Sequence, residues 1–317
     1  MLCGESSCVH HCEDLGPPHV IDTTTEESSA AGVRYDGTQT DSGHDTGQPE
    51  TRPAHTFSDG SIYTGKWTNE KPCGQGAQVW PDGACYHGEW FHGTLHGFGK
   101  FKHPDGDVYE GEWVSDKAHG QGTYTHKDGS FYVGNWVHDV QDGKGIEEWT
   151  DGGKYEGDYM QGQKHGRGRF IWQDSSTFVG QFECNLIHGA GLYTWADGRR
   201  YQGQWQRGRM HGRGTFTWPN GQCYCGEYAD DVRHGMGMLQ AADGRIFAGE
   251  WCNGEFIKAG KRDLLLENQS VLPEEQHSPG MFEDEQSDND ADQECDAPSM
   301  TEVNSPRKRR WNRRHQK

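Results

Sequence analysis

Six histidines recur at one place in a 23-residue period: His96, His119, His165, His188, His211 and His234. Cysteine (Cys73) and aspartate (Asp142) hold the same place twice. Imidazoles in register suggest metal binding or concerted titration. A metal needs ring nitrogens converging at ~2.0–2.1 Å on one ion, whereas neighbours in this column stand two strand spacings apart, roughly 10 Å. They do not share an ion, and each imidazole is expected to bond the backbone before a Gly-x-Gly. Cys223-x-Cys225 is half of a metal site. Its column holds one other thiol, Cys85, six periods away, so no zinc and no other metal is expected. Cys3, Cys8 and Cys12, with His10 and His11, match no zinc module, and reversible palmitoylation of Cys3 and Cys8 is the sharper expectation. Glu89, Glu112, Glu227 and Glu250 recur beside an aromatic column and read as a solvated polar row, although paired carboxylates can do acid–base work. No phosphate-binding Gly-rich loop and no Ser/His/Asp or Cys/His set is recognisable, so no catalytic residue, no enzyme activity and no cofactor is expected.

The elements behind these columns follow from a stricter repeat. Tyr63, Tyr86, Tyr109, Tyr132, Tyr155, Phe178, Tyr201, Tyr224 and Phe247 succeed one another at intervals of 23, without insertion. Such a period means a small unit stacked on copies of itself. In Tyr201-Gln-Gly203-Gln-Trp205 the alternation places Tyr201, Gly203 and Trp205 on one face of a strand. Gly214, Phe216 and Trp218 alternate likewise on a second strand, and Asn220-Gly221 then predicts a tight turn with positive-φ residues. Each unit is therefore a β-hairpin. Position four of the unit is aromatic throughout (Trp67, Trp90, Trp113, Trp136, Tyr159, Phe182, Trp205, Tyr228, Trp251), and a second column holds Trp80, Trp149, Trp172, Trp195 and Trp218, with His103 and His126 substituting. Nine units at ~4.8 Å per strand predict a twisted ribbon about 85 Å long. One face of such a sheet needs cover, from its own curl, a second copy or a partner.

Composition agrees with a thin fold. The chain of 317 residues is 31% hydrophobic, with mean hydropathy −1.02 and 46 glycines, too polar for a thick interior. A net charge of −19 disfavours nucleic acid as a partner. Met1–Val20 lacks an apolar run, nothing approaches a ~20-residue span, and the ten cysteines do not repeat with the unit, so a cytoplasmic setting with mostly free thiols is expected. Residues 1–56 and 267–317 read as disordered, 57–256 as the repeat array, and 257–266 as a short capping helix. The tail passes from acidic residues to Arg307, Lys308, Arg309 and Arg310, with Ser305-Pro306 before them as a phosphorylation site.

The unit Tyr-x-Gly-x-Trp-x-x-Gly-x-x-His-Gly-x-Gly-x-x-x-x-x-Asp-Gly resembles the MORN (membrane occupation and recognition nexus) repeat. The resemblance implies an all-β, single-layer antiparallel β-hairpin solenoid of about nine repeats, often paired into dimers. It also implies roles in cytoskeletal scaffolds, membrane junctions, or as accessory modules on lipid kinases. Cys73, Asp142 and Asp174-Ser175 depart from the pattern, which bears on local turn geometry and not on the fold. The first expectation is a non-enzymatic scaffold at the cytoskeleton or cell cortex, able to pair as a homodimer. Its protein partners would lie along an aromatic groove of Tyr86, Trp90, Tyr109, Trp113, Tyr132, Trp136, Tyr201, Trp205, Trp172, Trp195 and Trp218. The alternative is a peripheral adaptor for acidic phospholipids. It would use Lys164, Arg167, Arg169, Arg199, Arg200, Arg207, Arg209, Arg213 and the basic tail, or regulate a separately encoded lipid kinase.

Overall fold

The computed structural model describes residues 48–259, and every regular element among them is a strand. The chain divides into two units, Met1–Lys154 and Tyr155–Lys317. In the first, β1 (Glu50–Thr51) and β2 (His55–Thr56) both pair with β3 (Ile62–Thr68). An antiparallel meander follows through β4 (Lys71–Val79), β5 (Cys85–Phe91), β6 (Thr94–Lys102), β7 (Val108–Val114), β8 (Lys117–Thr125), β9 (Phe131–Val137) and β10 (Val140–Glu148). β11 (Lys154–Met160) opens the second unit. The same meander then runs through β12 (Gln163–Ile171), β13 (Thr177–Glu183), β14 (Leu186–Thr194), β15 (Arg200–Gln206), β16 (Arg209–Thr217), β17 (Cys223–Ala229), β18 (Val232–Gln240), β19 (Ile246–Cys252) and β20 (Glu255–Ala259). The expected all-β hairpin repeat is therefore present.

Two boundaries differ from expectation. Residues 50–51 and 55–56 form edge strands, because His55 and Phe57 pack their rings against Trp67 and Arg52 lies 5.2 Å from its centroid. Ile257–Ala259 continue β20 where a helix was expected, since the edge of β19 offers backbone partners through Gly249↔Ala259. Residues 260–266 of that segment lie outside the described residues, as do Cys3, Cys8, Ser305 and the basic tail.

The turns also differ in detail. Strands of one hairpin join through two residues that both have positive φ, such as Asn69-Glu70 (48° and 61°) and Ser115-Asp116 (50° and 66°), the geometry that follows strand twist. The Asp-Gly and Asn-Gly sites lie in three-residue loops instead. Trp80 N donates to Ala84 O and Gly83 N to Trp80 O, both at 2.9 Å, so the turn is type I followed by a left-handed residue. Only Gly221 of Asn220-Gly221 has positive φ, contrary to the tight-turn expectation. The Asn220 side chain instead accepts from Gln222 N at 3.1 Å, an Asx turn repeated by the aspartates. Ser175 keeps this geometry at φ 68°, so the one missing glycine alters no turn.

Each hairpin from Tyr63 to Tyr224 is closed by a ring lying flat over two paired glycines, a tyrosine everywhere except at Phe178. Gly111 faces Gly122, and a Cβ on Gly122 would meet Tyr109 Cζ at 2.6 Å. The Tyr109 hydroxyl donates to Glu112 O at 3.0 Å, and Tyr63, Tyr86 and Tyr132 repeat the bond. These rings meet aromatic residues of their own hairpin and of the next edge-on, as Tyr86 does with Trp90 (5.3 Å, 87°) and Trp113 (5.6 Å, 86°), and Tyr155 with Tyr159 and Phe182. Edge contacts of this kind contribute ~0.5–1.5 kcal/mol each beyond burial. The indole N–H of Trp113 reaches back to Gly99 O at 3.1 Å, locking consecutive hairpins.

A side-chain staple adds to this lock. Asp139 N donates to Ala118 O at 2.9 Å while Asp139 Oδ1 accepts from Ala118 N at 2.7 Å. Asp116, Asn185 and Asp231 do the same for Leu95, Lys164 and Met210. Where glycine replaces the acceptor at Gly93, the facing residue is Pro72, which has no N–H to satisfy. Asp139→Asn keeps the acceptor and is expected to shift stability by less than about 0.5 kcal/mol. Asp139→Ala strands the Ala118 amide and should cost about 1–3 kcal/mol, read from urea unfolding followed by circular dichroism.

Candidate functional site

The aromatic groove expected from the sequence resolves into two sets of rings with different fates. Tyr86, Trp90, Tyr109, Trp113, Tyr132, Trp136, Tyr201 and Trp205 are buried, each at 8% exposure or less. They are the core and present no groove, because the flat tyrosine and the aromatic rings flanking it cover one another. Trp172, Trp195 and Trp218 are half-buried. They alternate with Phe170, Tyr193 and Phe216, a column that the sequence reading did not separate. The six rings form a tilted ladder in the second unit, Phe170–Trp172–Tyr193–Trp195–Phe216–Trp218, with centroids 4.5, 5.0, 4.5, 5.2 and 4.4 Å apart. In the first unit Trp80, Phe101, His103, Tyr124 and His126 run similarly, but imidazoles interrupt the apolar surface. Arg199 caps the ladder 5.4 Å from the Trp195 centroid while its Nε donates to Asp197 at 2.7 Å.

The opposite face carries the polar columns. In the hairpins from β3–β4 to β17–β18 the return strand has nine residues against seven, and the surplus forms a bulge beside the histidine position. Gly120 there has φ 60°, and a Cβ would collide with Glu112. Glu112 Oε1 accepts from Gln121 N at 2.8 Å, as Asp158, Gln181 and Gln204 do from Arg167, Ala190 and Arg213. Glu112, Asp158, Gln181 and Gln204 thus cap their bulges with one acceptor oxygen, which a carboxylate or an amide supplies, whereas Glu250 pairs with Lys258 at 2.7 Å. Cys73 and Asp142 leave the bulge intact, with Gly74 and Gly143 at positive φ. The histidines stay apart: His188 Nδ1 pairs with Glu183 at 3.1 Å, and His119 faces His138 at 5.4 Å. Among the described residues no three His, Cys, Asp or Glu groups converge on a metal position.

The basic residues divide between faces. Arg167 and Arg169 on β12, Arg200 on β15, and Arg209 and Arg213 on β16 are exposed on the polar face of the second unit. Around Val179 and Leu192, paired across β13 and β14, they border an exposed apolar strip. Arg207 occupies a turn at φ 50°. Lys164 does not belong to this set: its ammonium lies 5.1 Å and 5.6 Å from the Tyr155 and Tyr159 centroids, on the aromatic side.

Comparison with known proteins adds the repeat's identity. Residues 63–85, 86–108, 109–131, 132–154, 155–177, 178–199, 201–223 and 224–244 each match the MORN repeat. No curated protein matches the chain significantly. Among solved structures, the TCP domain of Drosophila melanogaster SAS-4, in complex with a proline-rich motif of Ana2, is 14% identical, with 64% of this chain and 96% of that chain covered and a TM-score of 0.32. The TCP10 domain of Danio rerio CPAP, in complex with a STIL peptide, is 16% identical, with 66% and 98% covered and a TM-score of 0.25. Superpositions this loose carry neither partner over to this chain.

The buried phenols give the core a pH signature. Burial pushes the Tyr63 hydroxyl up to about 12 and raises Tyr86, Tyr109, Tyr132, Tyr201, Tyr224 and Tyr228 further. A phenol harder to ionise folded than unfolded stabilises the fold fully below the ordinary value near 10 and loses that contribution as pH rises through the folded value. The repeats are expected to hold up to about pH 10 and then to unfold, with phenolate absorbance rising together with loss of the β circular-dichroism signal. A rise in absorbance from an intact fold would contradict this.

Proposed function

Because the chain belongs to the MORN repeat family, whose repeats match more than half of its residues, we propose that it is a non-enzymatic scaffold. It binds protein partners along the half-buried aromatic ladder of its second unit, at the cytoskeleton or cell cortex. The observation that carries this reading is the ladder itself. The inner rings are spent on the core, whereas Trp172, Trp195 and Trp218 keep exposed surface on a rigid sheet. Tryptophan, tyrosine and arginine are the residues that dominate binding energy at interfaces, and this edge combines all three. A preorganised sheet also spares a partner most of the ordering cost on its scaffold's side. The polar columns support the absence of chemistry, since the glutamates cap bulges and the histidines are separated. Pairing into a homodimer fits the same surface.

A second reading is favoured by one observation, the exposed arginines around Val179 and Leu192 on the opposite face. Five guanidinium groups beside an apolar strip suit acidic phospholipid headgroups, and each basic residue near an anionic surface contributes about 1 kcal/mol. Such an adaptor would also serve as the regulatory subunit of a separately encoded lipid kinase.

Trp172→Ser/Trp195→Ser/Trp218→Ser in the full chain separates the two. On the scaffold reading, partners captured from the native cell are lost with this variant and kept by Arg169→Glu/Arg200→Glu, and flotation with phosphatidylserine vesicles is absent. The lipid reading reverses both results and adds loss of flotation at high salt. Retention of every captured protein by the tryptophan variant, with its circular dichroism unchanged, overturns the ladder as the binding surface.

A further inference from the structure

On the polar face of the second unit, the chemistry changes from oxygen and nitrogen to sulfur between β17 and β18. Cys223 and Cys225 lie on one side of β17, Met238 stands directly opposite Cys225, and Met236 follows on the same side of β18. All four are half-buried, and both cysteines are free thiols. The repeat does not impose this clustering. The corresponding positions one hairpin earlier hold Arg200, Gln202, Thr215 and Arg213, and Cys223 and Cys225 give way to Ile246 and Ala248 one hairpin later.

We propose that Cys223, Cys225 and Met238 form a binding site for a soft monovalent metal ion, copper(I), held by two thiolates and one thioether. Two same-side strand residues stand about 6.7 Å apart, so side chains turned toward each other bring their sulfurs within the ~4 Å that two ~2.3 Å metal–sulfur bonds span. The directly opposed Met238 has its Cβ ~4.5–5.5 Å from that of Cys225, within reach of the same point. Thiolate and thioether donors together select copper(I) over harder cations. Zinc would require a fourth nitrogen, oxygen or thiolate ligand, and the imidazole on β18, His234, is opposite Glu227, away from the sulfurs.

The two thiols already sense each other. Burial raises the Cys223 thiol, a hydrogen bond from Thr217 partly offsets this, and the charge of a Cys225 thiolate raises it further. Cys223 is therefore held in its thiol form at neutral pH. Binding replaces two S–H protons, which pass to solvent, with two metal–sulfur bonds. The copper stays in the +1 state, and the site carries one net negative charge.

The test uses the full chain with Cys3, Cys8 and Cys12 changed to serine, removing the other dense group of thiols. Copper(I) is added anaerobically to one equivalent against a chromophoric copper(I) chelator, and iodoacetamide labelling of each cysteine is mapped by mass spectrometry. Cys223 and Cys225 are expected to be protected about tenfold, while Cys73 and the exposed Cys252 label as before. Met238→Leu conserves volume, leaves the fold intact, and should lower affinity at least as much as losing an outer-shell partner does, about 10–100-fold. Cys225→Ser should abolish competition with the chelator. Unchanged labelling of Cys223 and Cys225 overturns the site, and unchanged affinity in Met238→Leu overturns the thioether ligand.

Discussion

The structure depends on a tyrosine ring laid across two glycines that face each other on neighbouring strands. That contact explains why glycine recurs at two positions per hairpin, since a Cβ at either would occupy the ring's place. It also explains how a sheet this polar acquires a core. The ring does not project toward a second layer; it lies on its own backbone and is sealed by an aromatic ring on each side. Tyr63, Tyr86, Tyr109, Tyr201 and Tyr224 reach 0% exposure in this way. No partner is needed to cover the inner aromatic column, and the physical argument for binding moves outward to the rings left half-exposed.

The same economy governs the polar side, where residues of chemical promise serve geometry. The glutamate and glutamine column receives amide hydrogens at a bulge, a carboxylate at Glu112 and an amide at Gln181 making the same 2.8 Å bond. The aspartates of the two-residue turns tie one hairpin to the next. Among the described residues, the outer tryptophans of the second unit, the arginines around Val179 and Leu192, and the sulfurs of β17 and β18 keep exposed or half-buried surface outside these tasks.

Much of the hairpin was legible in the sequence because a strict period exposes alternation directly. The pairing of Tyr201, Gly203 and Trp205 on one face, and of Phe216 and Trp218 on the next strand, reads from spacing alone. What spacing could not separate is burial within one face. Trp205 and Trp218 look alike in sequence, yet one is sealed between tyrosines and the other lies at the edge of the stack. Asn-Gly suits both a two-residue and a three-residue connection; the preceding Pro219, which favours the first central position of a type I turn, is the signal for the longer one. Lys164 shares the charge of the arginines, but its place next to a histidine in the return strand puts its ammonium over Tyr155 and Tyr159. The bulge behind His-Gly-x-Gly was hidden because two extra residues leave the overall period unchanged.

The central claim is tested most directly by a double-mutant cycle between Tyr109 and Gly122, with stability taken from denaturant unfolding. If the ring occupies the space of the missing side chain, Gly122→Ala is strongly destabilising in the natural protein and nearly harmless once Tyr109→Ala has emptied the site. The two substitutions are then far from additive. Equal cost of Gly122→Ala in both backgrounds would show that the ring and the glycine do not share that space, and the tyrosine could no longer be what holds glycine in the repeat.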